Sequence, residues 1–146
     1  MEAILHAYCG LYCGACPVLQ QTLAGEGEQR CLGCKSELNA GYCTVCALKA
    51  CAVEKGIAFC GECGELHGCA LMAKFAADTT WLNQRGVLLN LETIQRGGLT
   101  RWLEEQAGRW RCPGCGRPHT WWDETCPHCG QAVMSCRAEM QANEGE

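Results

Sequence analysis

The sequence predicts a small, metal-stabilised α+β fold. It divides into an irregular cysteine-rich module with short helices, a helical connector, and a compact ribbon near the carboxy terminus. Three observations predict this. Sixteen of the 146 residues are cysteine, a share that marks a cross-linked scaffold rather than an ordinary core. Twelve of these form six Cys-x-x-Cys pairs: Cys13/Cys16, Cys31/Cys34, Cys43/Cys46, Cys60/Cys63, Cys112/Cys115 and Cys126/Cys129. Between the two cysteine-rich ends, residues 70–107 hold no cysteine and carry helical spacing.

A module with a thin core needs staples, either disulfides or metals. Met1-Glu2-Ala3-Ile4-Leu5-His6 lacks the basic start and apolar stretch of a secretory signal. No apolar run reaches the roughly 20 residues of a membrane span. The expectation is a cytoplasmic protein with no membrane partner, in a compartment where thiols stay reduced. The spacing agrees, because a tight turn carrying two thiolates presents both sulfurs to one ion and so forms half a tetrahedral site. One such pair suits a redox dithiol; six in one chain do not.

Residues 1–73 form the cysteine-rich metal-binding module, with eleven cysteines and a polar loop at Gly25-Glu26-Gly27-Glu28. A helix is predicted from about Thr44 to Lys55, stopped by Gly56. Residues 74–108 form the connector. Trp81, Leu82, Leu88, Leu89, Leu91 and Ile94 supply apolar content past a break at Gly86. Gly97-Gly98 is a turn, and Leu99, Trp102, Leu103 and Gln106 follow the spacing of a buried helix face. Trp81 and Trp102 read as core residues. Residues 109–132 form the ribbon, and 133–146, with Cys136, form a tail whose polar end is expected to fray.

The ribbon carries the strongest local signal. Cys112-Pro113-Gly114-Cys115-Gly116 is matched by Cys126-Pro127-His128-Cys129-Gly130, with ten residues between Cys115 and Cys126. Proline presets the turn between the thiolates, and glycine after the second cysteine tolerates a positive φ. The intervening residues, with Trp121 and Trp122, are predicted to form a short hairpin. Four cysteines close a tetrahedron with no open position, so the site reads as structural zinc; a four-thiolate iron site is the rival. His119 and His128 are not needed as ligands and read as packing or solvent-exposed residues.

In the amino-terminal module, Cys9, Cys13, Cys16, Cys31, Cys34, Cys43, Cys46, Cys51, Cys60, Cys63 and Cys69, with His67, make twelve potential ligands. Several zinc ions fit this set, and so does an iron–sulfur cluster within residues 9–69, since cysteine-rich spacings serve both. The Cys9-x3-Cys13-x2-Cys16 run looks like the cluster motif of radical S-adenosylmethionine enzymes, but the large barrel those enzymes need is missing from the pattern. Glu62, Glu65 and His67 read as a solvated loop, with a polar pocket beside a metal as the alternative.

These residues also carry a resemblance. Tyr8-Cys9-Gly10-Leu11-Tyr12-Cys13-Gly14-Ala15-Cys16-Pro17, Cys31-Leu32-Gly33-Cys34, Cys46-Ala47-Leu48-Lys49-Ala50-Cys51-Ala52 and Cys60-Gly61-Glu62-Cys63 leading to Cys69 resemble the DUF3795 family, small cysteine-rich proteins of unknown function. The resemblance implies that Cys9, Cys13, Cys16, Cys31, Cys34, Cys46, Cys51, Cys60, Cys63 and Cys69 are metal ligands. Lys49, where arginine is more usual, and Gly68, where proline is, depart from it, and Cys43 stands apart from the pattern. The family brings no activity.

The formal net charge is −4. Residues 74–117 alone are mildly basic, with 7 bases against 4 acids. Arg109, Arg111 and Arg117 on the ribbon are opposed by Asp123 and Glu124, a weak footprint for nucleic acid. The functional expectation is therefore a zinc-binding protein acting as a binding or adaptor module with a protein partner, rather than a catalyst. An iron–sulfur redox protein is the alternative.

Overall fold

The computed structural model describes residues 3–28, 30–39 and 46–144. The chain is mostly helical there. Helix α1 (Pro17–Leu23) opens with proline where its missing N–H falls among the unbonded amides of a first turn. Helix α2 (Ala47–Lys55) ends at Gly56, whose φ of 70° is the left-handed stop that the sequence predicts. Helix α3 covers Ala70–Ala76. Cys16, Cys46 and Cys69 are the N-cap residues of these three helices, so each of these three cysteines stands immediately before a helix.

The connector holds helix α4 (Val87–Gly97) and helix α5 (Leu99–Arg109), joined at Gly98 with φ 88°. Helix α4 buries Val87, Leu91 and Ile94. Helix α5 buries Trp102, with Leu99, Leu103 and Gln106 partly covered on the same side. That is the face predicted from the i, i+3, i+4, i+7 spacing. Gly10 meets α4 closely: it has φ 95°, and a Cβ there would lie 2.8 Å from the Val87 carbonyl oxygen. Asn90 Nδ2 donates to the Gly10 carbonyl at 2.9 Å.

Extended pairing among the described residues is confined to isolated bridges, His6 with Tyr12, Arg111 with Pro118 and Thr125 with Ala132. This is less strand than the α+β expectation asks for. Each cysteine turn closes on itself within a few residues, which leaves no length for a ladder. Nor do Trp121 and Trp122 sit on a hairpin: they occupy a turn between the two bridges.

One buried cluster joins all parts of the chain. It includes Ala7, Tyr12, Phe59, Met72, Leu91, Trp102, Trp121 and Cys136. Trp102 meets Tyr12 edge-on with centroids 6.0 Å apart. The carboxy-terminal region is also pinned by hydrogen bonds. The Trp121 amide donates to the Ala15 carbonyl at 3.2 Å. Gln20 Nε2 donates to the carbonyls of Gly14 (2.9 Å) and His119 (3.0 Å).

Two expectations need correction. Trp81 is not a core residue. It is 55% exposed, at the start of a 3-10 turn over Leu82–Gly86, and leans on Trp122 with centroids 6.1 Å apart. The chain end is not frayed throughout, since Cys136–Glu144 form helix α6. Ser135 Oγ accepts the Ala138 amide at 3.1 Å, a helix N-cap bond. Arg109 holds the helix through Glu139 at 2.6 Å and the Met134 carbonyl at 3.1 Å. No helix among the described residues is long and apolar enough to cross a membrane.

Candidate metal centres

The two carboxy-terminal turns share one set of backbone bonds. In the first, the Cys112 amide donates to Arg117 O (2.9 Å) and the Gly116 amide to Cys112 O (2.9 Å). The Gly114 amide points at Cys112 Sγ, 3.4 Å away. In the second, Cys126 bonds Gln131 O (2.7 Å) and Gly130 bonds Cys126 O (2.9 Å), and the His128 amide points at Cys126 Sγ, 3.4 Å away. Gly116 and Gly130 take φ of 75° and 79°, the left-handed conformation expected of glycine after each second cysteine. Proline presets each turn, and amides aimed at sulfur favour the thiolate.

These turns converge. The sulfurs of Cys112, Cys115, Cys126 and Cys129 all lie within 4.8 Å of one another. Across the turns, Cys112 and Cys129 are 3.5 Å apart, and Cys115 and Cys126 are 3.6 Å apart. A tetrahedron of thiolates at bond lengths of about 2.3 Å has edges of about 3.8 Å, so the four can hold one metal ion. Burial opposes ionisation of Cys126, but the amides of His128 and Cys129 and the neighbouring thiols outweigh it and hold its pKa below an ordinary thiol's. His119 is 2% exposed and packs against Trp110 at 5.6 Å. His128 is exposed beside Arg117. Neither is drawn into the site, in keeping with the packing and solvent roles read from the sequence.

In the amino-terminal module, Cys9, Cys13, Cys16, Cys31, Cys34 and Cys46 line a single cavity of about 490 Å³. Leu11, Phe75, Trp81, Trp121 and Trp122 are among the other residues of its wall. The Cys31–Cys34 turn repeats the carboxy-terminal pattern, with the Gly33 amide 3.4 Å from Cys31 Sγ. Gly33 has φ 109°, and a Cβ there would lie 2.1 Å from the Ile4 carbonyl oxygen, so only glycine fits. Burial first, then the Cys34, Cys13 and Cys46 thiols, push the Cys9 pKa well up. Burial, reinforced by Cys34, likewise raises Cys13 far above an ordinary thiol. Thiols held this way keep their protons unless a cation replaces them.

Cys51, Cys63 and Cys69 surround Cys60. Burial and these neighbours, with Cys46, push the Cys60 thiol up to about 11. Cys63 is pulled down by the Glu65 amide and by Lys55, whose Nζ lies 3.1 Å from its sulfur. Glu62 spends its carboxylate on the Ala58 and Phe59 amides, at 2.6 and 3.1 Å. Glu65 pairs with Lys55 at 3.3 Å. These two acids therefore brace their own loop. Cys43 and the His67 side chain lie outside the described residues. Cys136, unassigned by the sequence, is buried in the core, its amide bonded to Trp121 O at 2.9 Å.

Sequence reasoning missed the aromatic wall of the cavity and the Gln20 clamp. No local pattern marks Gln20 or assigns Phe75 and Trp81 to a cavity wall, because these roles arise from segments brought together only by folding.

A family model described as protein of unknown function (DUF3795) matches residues 5–74. No curated protein and no solved structure matches the chain.

Proposed function

We propose, given that a model of the DUF3795 family of unknown function matches residues 5–74, that the chain is a zinc-binding protein that serves as a binding or adaptor module. The observation that carries the zinc reading is the convergence of Cys112, Cys115, Cys126 and Cys129 within 4.8 Å. Four thiolates fill a tetrahedral zinc and leave no position for water or substrate, which is the pattern of a structural ribbon rather than a catalytic site. The ion would fix the two knuckles, and through Trp121 and Cys136 hold the carboxy-terminal region on the core. Trp81 and Trp122, 55% and 38% exposed with ring centroids 6.1 Å apart, form an exposed aromatic pair that supports a protein partner, since contiguous exposed apolar surface is where partners dock.

Metal analysis tests the zinc reading. The Cys115→Ser chain should lose one zinc per chain relative to the parent, with the amino-terminal metal content unchanged. Equal zinc in both would overturn it. For the adaptor role, a defined partner recovered by crosslinking should be lost in Trp81→Ala with zinc retained. A turnover activity that survives Trp81→Ala would instead make the protein a catalyst.

A further inference from the structure

The amino-terminal cavity differs from the ribbon in one geometric respect. In the ribbon, four sulfurs close to the spacing of a single ion. Among the described residues, no other three potential ligands come within 4.8 Å of one another. Yet six cysteines line one space of about 490 Å³, far larger than the roughly 30 Å³ of one water. Cys9, Cys13, Cys16, Cys31, Cys34 and Cys46 all stand on its lining. These thiols face a shared space without collapsing onto a point.

The remaining surroundings fit an anionic, multi-atom guest. The Lys35 ammonium acts on Cys34, Cys13 and Cys9, and Lys49 acts on Cys34. Lys35 is itself fixed, 2.9 Å from His6 Nδ1 and 3.8 Å above the Phe59 ring centre. Phe75, Trp121 and Trp122 supply an apolar wall, the kind of surround that limits water access and tunes a metal centre. The Cys31–Cys34 turn aims an amide at sulfur just as the ribbon knuckles do.

We infer that this cavity holds an iron–sulfur cluster ligated by four of its six lining cysteines, Cys9, Cys13, Cys16, Cys31, Cys34 and Cys46. A cluster interposes iron and inorganic sulfide between its thiolates, so it spaces them more widely than one ion does and fills volume that one ion leaves empty. Four thiolates are the usual ligand set. This site is independent of the ribbon zinc, and both can be counted in the same sample.

The test uses the full chain, purified without oxygen and incubated with ferric iron and sulfide under a thiol reductant, which supplies the electrons that take half of the iron to ferrous. The expected product absorbs near 400 nm and contains about four iron and four acid-labile sulfides per chain, with the ribbon zinc still present. A chain carrying Cys13→Ser, Cys34→Ser and Cys46→Ser together keeps fewer than four lining thiols and should lose most of the iron while keeping the ribbon zinc; Cys115→Ser, in the ribbon, should keep the iron. If a substituted chain does not fold, the parent protein's iron and sulfide content decides alone. Absence of iron and sulfide from the parent, or zinc filling the cavity in their place, would overturn the inference while leaving the ribbon reading intact. Loss of zinc from Cys115→Ser, or its retention, bears only on the ribbon.

Discussion

Replacing Trp102 with alanine should be the most damaging single aromatic truncation in the connector. The side chain is 1% exposed and meets Tyr12 edge-on at 6.0 Å, so it ties α5 to the cysteine-rich module. Truncating a buried tryptophan costs about 3–5 kcal/mol, and an edge-on aromatic pair adds about 0.5–1.5 kcal/mol. The sum, about 4–6 kcal/mol, is a large fraction of the about 5–15 kcal/mol that holds a typical domain together. At about 2–4 °C per kcal/mol for a chain near this size, the melting temperature should fall by about 10–20 °C. Thermal melts followed by far-ultraviolet circular dichroism, with metal content matched, read this directly. Trp81→Ala is the control, because that side chain is 55% exposed and should cost within about 0.5 kcal/mol. A Trp102→Ala melt within about 3 °C of the parent, or equal losses for both variants, would refute the assignment of Trp102 as the tie between connector and module.

Gly33→Ala places a Cβ against the Ile4 carbonyl at a φ of 109°; strain of about 1–3 kcal/mol plus the clash should lower denaturant stability by at least about 2 kcal/mol, and a neutral result would reject the observed turn. Asp78 accepts the Thr80 and Trp81 amides at 2.8 and 2.7 Å, which hold its pKa below the usual carboxylate value. Its contribution is thus present above the ordinary carboxylate range and lost as pH falls through the lowered folded value; a proton titration followed by NMR should place its midpoint below that of a model aspartate, and Asp78→Asn should remove that part of the acid dependence. Chelation should unfold residues 110–132 first, read as rapid hydrogen exchange there, since structural zinc binding is folding free energy; unchanged protection after metal removal would contradict it. Glu139→Gln removes the partly exposed partner of Arg109 and should cost no more than about 1 kcal/mol, less in high salt.

What could be read from the sequence was what depends on nearby residues. The Cys-Pro-x-Cys-Gly turns are local, so their backbone bonds follow from five residues each. The Gly56 stop and the buried face of α5 are likewise written in adjacent turns. Trp81 and Trp102 show the limit: the same residue type sits near apolar neighbours in both places, and only the packing of α5 against Tyr12 separates surface from core. The α6 helix was obscured because its polar composition outweighs a single cap at Ser135. The clamp from Gln20 to His119 joins residues far apart in sequence, and no spacing rule reaches that distance. The aromatic wall of the amino-terminal cavity belongs to the same class, with Phe75 from α3 and Trp121 from beyond the first knuckle.

That wall has a consequence for the order of events during synthesis. The cysteines lining the cavity lie between Cys9 and Cys46, whereas Trp121 and Trp122 leave the ribosome much later. Until then the part of that wall that these two indoles form is missing. Once the knuckles close and Trp121 bonds Ala15, the same thiols sit behind indole rings. A metal or cluster bound by these thiols would therefore meet least obstruction on the unfinished chain, and completion of the carboxy-terminal region would close that side of the cavity.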